Sequence, residues 1–151
     1  MAYETRNPYT GTLLETFPDA TDAEVHQAIE TAHAAFLSWK ETSFEERARV
    51  MRNAAEILRR DVDIFANLLT VEMGKLVPEA KAEVALSADI FDYYANNAEA
   101  LLAPEKLPVA DPNEGDAVLS AEPLGVLLAI EPWNFPFYQV VHIAAPQLSA
   151  G

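Results

Sequence analysis

Apolar positions recur at helical spacing from Val25 to Leu101. Val25, Ile29, Ala32 and Phe36 fall on one face of a helix. Thr21-Asp22-Ala23-Glu24, a hydroxyl followed three residues later by a carboxylate, opens that helix as a capping box, and it is predicted to run to about Lys40. Ser43-Phe44-Glu45-Glu46 repeats the signal, with Met51, Ala54, Ala55 and Leu58 behind it. Phe65, Leu68 and Leu69 carry the period on to Gly74, a helix-stopping glycine, so helix is predicted over 43–74. Pro78 suits the first turn of a further helix over 78–103. Its stripe is Ala80, Val84, Ser87, Phe91, Tyr94, Ala98 and Leu101, closed by Pro104 and Pro108.

Outside these helices the pattern changes. Residues 4–18 predict a hairpin or arm around the turn cluster Asn7-Pro8-Tyr9-Thr10-Gly11. Asp111-Pro112-Asn113-Glu114-Gly115-Asp116 is turn chemistry leading into a short strand over 117–121. The continuous apolar run 125–130 predicts a strand covered on both faces. From Pro136 the spacing is helical again, through Val140, Val141, Ala144 and Leu148. Helices first and then a strand-turn-helix unit predict an α/β fold. A buried parallel strand needs neighbours, so the 151 residues read as the N-terminal part of a larger α/β domain.

Composition narrows the function classes. Hydrophobic residues make up 50% and charged residues 23%, which is the balance of a soluble globular protein. No run approaches the ~20 apolar residues of a membrane span, and Met1-Ala2-Tyr3-Glu4-Thr5-Arg6 has no apolar signal core, so a cytoplasmic location is expected. There is no cysteine and hence no disulfide framework. A net charge of −14 opposes binding to nucleic acid or to an anionic membrane.

The chemistry concentrates at 131–137, Glu131-Pro132-Trp133-Asn134-Phe135-Pro136-Phe137. The strand stops at Pro132 and a helix restarts at Pro136, which restricts Phe135 to extended geometry. Ligands of open α/β sheets sit outside the carboxyl ends of strands, near helix N-termini. Asn134 occupies such a place. Its amide either donates a hydrogen bond to charge developing on a substrate oxygen or serves turn geometry alone.

Three stretches carry a resemblance: Pro123-Leu124-Gly125-Val126, Ile130-Glu131-Pro132-Trp133-Asn134-Phe135-Pro136, and Ala145-Pro146-Gln147-Leu148-Ser149-Ala150-Gly151. With Asn7-Pro8 and Gly11, Trp39, and Glu72-Met73-Gly74-Lys75, they make the whole chain resemble the aldehyde dehydrogenase superfamily, in particular its succinate-semialdehyde dehydrogenase type. The resemblance implies the N-terminal portion, 1–151, of a Rossmann-like cofactor-binding domain, with the catalytic domain absent. It implies oxidation of an aldehyde to a carboxylic acid with NAD or NADP, through a cysteine thiohemiacetal and a thioester. Asn134 would hold the oxyanion. Ile130, Glu131, Pro132, Trp133 and Asn134 would line the cofactor groove, and Phe135 and Tyr138 the aldehyde tunnel. As bare residues, Trp133, Phe135 and Tyr138 would read as core. The arm 4–18 and the hairpin 108–124 would take part in subunit contacts, so a homo-oligomer, dimer or tetramer, is expected. The family's thiol, general-base glutamate and ribose-holding lysine lie outside the matching region, so the chain by itself is expected to be inactive.

One position departs from the pattern. Eight residues after Asn134, where succinate-semialdehyde dehydrogenases usually carry an arginine that clasps the distal carboxylate, stands His142, followed by Ile143. His142 either faces the substrate mouth as a weaker clasp or is a plain helix-surface histidine.

Other candidates read as structural. His26 and His33 are too few for a metal site. Arg47, Arg49, Arg52, Arg59 and Arg60 interleave with Glu45, Glu46, Glu56 and Asp61 as a salt-bridged helix face, with Glu56–Arg60 as one i,i+4 pair. There is no G-x-G-x-x-G turn. The competing function is a small acidic helical module that binds a partner protein, supported by the amphipathic helices 21–40, 43–74 and 78–103.

Overall fold

A computed structural model describes residues 3–111, 113 and 115–151. Met1, Ala2, Pro112 and Glu114, which belong to the leader and turn readings above, lie outside the described residues. The elements are β1 (Tyr3–Arg6), β2 (Leu13–Phe17), α1 (Asp22–Trp39), α2 (Phe44–Arg60), α3 (Val62–Met73), α4 (Val77–Leu101), β3 (Glu105–Leu107), β4 (Ala117–Leu119) and α5 (Pro136–Ala150).

Both predicted capping boxes form. The Thr21 and Ser43 hydroxyls accept from the backbone N–H of Glu24 and Glu46, at 3.3 and 3.2 Å. Each carboxylate in turn accepts from the cap residue's own N–H, at 2.7 and 2.9 Å. Two orphan donors of each helix start are thereby satisfied.

α4 is the central helix, and α2, α3 and α5 all pack against it. The joint is lined by small residues. Ala55, Ala66, Ala80 and Ala88 are at most 1% exposed, which lets the helix backbones approach closely. Leu58, Leu69 and Val84 fill the space between them, and Phe65 and Phe137 close one side with ring centroids 5.2 Å apart. The sheets are two antiparallel hairpins, β1 with β2 and β3 with β4.

Four expectations are corrected. Helix 43–74 is two helices that meet at Asp61, where the backbone leaves helical geometry (φ −106°, ψ 23°). Ile64 and Phe65 then hydrogen-bond back to the Asp61 carbonyl and restart the helix. The strand of 117–121 is shorter, ending at Leu119, and pairs with β3, which lies between the two prolines expected only to close a helix. The run 125–130 is not a buried strand: no strand pairs with it among the described residues, and Leu128 and Ile130 are 86% and 85% exposed. An apolar run favours extended backbone, but burial needs neighbours on both edges, and these residues supply none. The last correction concerns the arginines. Arg60 pairs with Asp61 rather than Glu56, and Arg47 is buried.

Two apolar faces are set differently from the sequence stripe. α1 has no buried residue, and Val25 and Ile29 on its apolar face are exposed. α5 buries Val141, Ala145 and Ser149, leaving Val140 and Leu148 exposed.

Candidate active site

The turn 131–135 leads directly into α5, and its geometry depends on how the start of that helix is satisfied. Pro136 and Phe137 open α5, and proline has no N–H to place. The next two donors, the N–H groups of Phe137 and Tyr138, are both accepted by Glu83 Oε1 from α4, at 2.9 and 3.2 Å. The other carboxylate oxygen of Glu83 takes the ammonium of Lys75. Both side chains are out of water: 1% of Glu83 and 7% of Lys75 is exposed. A buried charge survives only when paired and hydrogen-bonded, and here each charge has the other. The carboxylate also meets the positive end of the α5 dipole.

Lys75 continues from this pair to the turn itself. Its ammonium donates to the Asn134 carbonyl at 3.0 Å and lies 3.7 Å from the centre of the Phe135 ring. Gly74 makes the placement possible. It ends α3 in the left-handed region (φ +76°), and a Cβ there would come within 3.1 Å of the Pro8 side chain. The chain therefore turns sharply just before Lys75, under the N-terminal arm.

The far end of α5 is held in the complementary way. The Trp39 indole N–H donates to the Leu148 carbonyl at 2.9 Å, and Arg47 Nε donates to that of Ser149 at 3.0 Å. Gly151 N–H takes the Gln147 carbonyl. An anion at one end and a cation at the other both favour the helix dipole. Burial lowers the Arg47 pKa from its usual range.

The carboxamide of Asn134 is exposed and takes up no hydrogen bond among the described residues. The turn is thus fixed through its backbone carbonyl while its side-chain donor is left available. Trp133 and Ile130 are 78% and 85% exposed, which removes the core reading of Trp133. Pro132 is exposed and Glu131 half-buried beside them. On α5, Phe135, Tyr138 and His142 form a file of rings, with centroids 6.4 and then 5.4 Å apart. Phe135 is exposed and Tyr138 half-buried, so neither is core; His142 is exposed. A largely apolar cavity of about 610 Å³ opens beside the turn, between Trp133, Phe137 and Val140 on one side and Leu68, Met73 and the arm residue Thr5 on the other. His26 and His33 stand exposed on α1, well separated in sequence from this site.

Glu83 is the residue that sequence reasoning missed. The signal was present: it sits three residues after Ala80 and four before Ser87, on the buried face of its helix. A carboxylate in that stripe must have partners; Lys75 is eight residues away, and the backbone donors Phe137 and Tyr138 are 54 and 55 residues away.

Comparison with known proteins gives one consistent result. The aldehyde dehydrogenase family pattern matches residues 1–151. The chain is 48% identical over 149 residues to succinate-semialdehyde dehydrogenase [NADP(+)] of Deinococcus radiodurans, covering 99% of this chain and 31% of that protein. It is 47% identical over 151 residues to succinate-semialdehyde dehydrogenase [NADP(+)] 1 of Mycobacterium tuberculosis, covering 100% of this chain and 33% of that protein. Among solved structures, it is similar to succinic semialdehyde dehydrogenase from Streptococcus pyogenes in complex with NADP+. The TM-score is 0.92 at 42% identity, over 99% of this chain and 32% of that one. The chain spans about a third of the length of these relatives.

Proposed function

The chain belongs to the aldehyde dehydrogenase family, and from that premise we propose that it supplies the oxyanion donor and part of the cofactor groove for oxidation of an aldehyde to a carboxylic acid with NAD or NADP. Succinic semialdehyde is the aldehyde to test first, because relatives at 47–48% identity carry that name. The observation that carries the proposal is the turn at Asn134: its backbone is tied to a buried ion pair, while the residue is exposed and its carboxamide takes up no hydrogen bond among the described residues. A donor fixed before the reaction pays no reorganisation cost when negative charge develops on a former carbonyl oxygen.

NAD or NADP would accept the hydride. The residues at 130–134 fit the uncharged end of such a molecule. Ile130 and Trp133 offer exposed apolar surface, and the backbone of 125–130 beside them makes no ladder among the described residues. Lys75, which touches the turn, is committed to Glu83. Ile130, Glu131, Pro132, Trp133 and Asn134 would hold the cofactor, and Phe135, Tyr138 and His142 would face the aldehyde. The nucleophilic thiol is not among these 151 residues, and the chain by itself is expected to turn over no aldehyde.

The reading also includes a cytoplasmic location and a homo-oligomer. Support for the oligomer lies in the arm and the 108–124 region, where the two-stranded hairpins leave strand edges without partners among the described residues. A helical interaction module has less support, since the family match runs through every helix that would build it.

The test joins this chain to the remaining part of the Deinococcus radiodurans relative. The joined enzyme is expected to reduce NADP with succinic semialdehyde. Asn134→Ala in it should lower kcat by about 10²- to 10³-fold with cofactor affinity unchanged. A kcat within a few-fold of the parent would leave Asn134 as a turn former only.

A further inference from the structure

We infer that Lys75 and Glu83 are positioning residues for Asn134: the buried ion pair sets where the carboxamide stands and so governs the rate of the chemical step. The inference rests on the oxyanion role proposed above.

The geometry gives the pair two grips on one turn. Glu83 Oε1 accepts from Phe137 and Tyr138, the first free donors of α5, which fixes where the helix begins. Lys75, bound to the other oxygen of the same carboxylate, donates to the Asn134 carbonyl at 3.0 Å. The turn between these grips is Asn134-Phe135-Pro136, in which proline fixes its own φ, while Phe135 takes φ −138° and ψ 66°, short of the extended geometry expected before a proline because Glu83 fixes where the helix begins. Phe135 is gripped once more through its ring, 3.7 Å from the ammonium. Few soft torsions remain to Asn134 apart from its own side chain.

The pair also joins three separate segments. Lys75 follows the end of α3, Glu83 lies inside α4, and Asn134 precedes α5. Without it, the first donors of α5 would lose their acceptor, because α5 has no capping side chain of its own. A buried ion pair contributes little net stability by itself. This one ends on the carbonyl of the residue whose amide is exposed.

The test uses the joined enzyme. Glu83→Gln keeps the shape and one acceptor oxygen but leaves the buried ammonium unpaired. It is expected to lower kcat by about 10- to 100-fold, the cost of a small misplacement, with KM for the aldehyde and affinity for NADP unchanged. In an Asn134→Ala background the same substitution should cost no further kcat, because both changes remove one effect. Lys75→Arg, which preserves charge and donors, should retain most of the activity, and Lys75→Met should behave like Glu83→Gln. Independently of any variant, the amides of Phe137 and Tyr138 should exchange with deuterium slowly in the unsubstituted protein.

Rapid exchange at those two amides would overturn the inference. So would losses from Glu83→Gln that add fully to those of Asn134→Ala, or a fall in kcat matched by equal changes in KM and NADP affinity. If Asn134→Ala is costly and Glu83→Gln is not, the oxyanion role stands and the positioning role fails. If Asn134→Ala is silent, the oxyanion role itself fails, and positioning fails with it.

Discussion

Arg47 reaches from α2 to the last turn of α5 and donates to the carbonyl of Ser149 at 3.0 Å, 102 residues away in sequence. It also donates to the Thr42 carbonyl at 2.5 Å and lies 4.6 Å from the centre of the Phe44 ring. Arg47 and Ser149 are 5% and 3% exposed, so the Ser149 carbonyl has little access to water as a substitute partner. Arg47→Met should therefore cost about 2–3 kcal/mol, the loss of charged hydrogen bonds with their acceptors left buried. Arg52→Met offers the contrast. Its partner Glu45 is 80% exposed, and an exposed pair of this kind contributes under ~1 kcal/mol. Urea unfolding of the two variants side by side checks the difference; equal losses would mean that α5 is not anchored through Arg47.

How far the sequence discloses this arrangement depends on the distance over which each feature is determined. The capping boxes at Thr21 and Ser43 involve partners three residues away, and both are legible in a four-residue window. The break at Asp61 is harder to see, since Leu58, Phe65 and Leu69 keep an apolar face across it. The run 125–130 shows an apolar composition but not its burial, because burial belongs to neighbours and not to the run. Asn134 announces itself through its flanking prolines. The ion pair that holds it does not, because Lys75 and Glu83 look like two of many charges until the fold brings residues 54 and 59 positions apart into contact.

Acid should weaken the starts of α1 and α2. Hydrogen bonds from the Thr21 backbone N–H and then its hydroxyl hold the Glu24 carboxyl below its ordinary value. Ser43 acts on Glu46 in the same way, with a smaller contribution from Arg49. A depressed folded-state pKa gives stability that is present above the unfolded value and lost as pH falls through the folded one. The window accordingly begins near about pH 4.3, the unperturbed glutamate value, and extends below it. Unfolding free energy measured from pH 6 down to pH 3 should fall less steeply for the double variant Glu24→Gln, Glu46→Gln than for the parent. Parallel curves would show that the two carboxylates contribute nothing to acid sensitivity.

The proposed place of His142 at the far end of the aldehyde can be tested by its effect on substrate preference. Its ring lies 5.4 Å from that of Tyr138, and it is exposed at the end of the file that begins at Phe135, beside the Asn134 turn. An aldehyde whose carbonyl sits at Asn134 could extend its far end along this file. An imidazole offers a carboxylate at most one N–H at a time, whereas a guanidinium offers a two-pronged donor with permanent charge. In the joined enzyme, His142→Arg should lower KM for succinic semialdehyde by about 10-fold, the equivalent of one charge-assisted hydrogen bond. KM for butanal, which has the same carbon count and no carboxylate, should stay where it is, and kcat should change little for either. That pairing of substrates separates recognition of the carboxylate from a general change in the tunnel. Equal shifts for both aldehydes would mean a general change in the tunnel without carboxylate recognition, and none for succinic semialdehyde would place His142 on the helix surface with no part in binding.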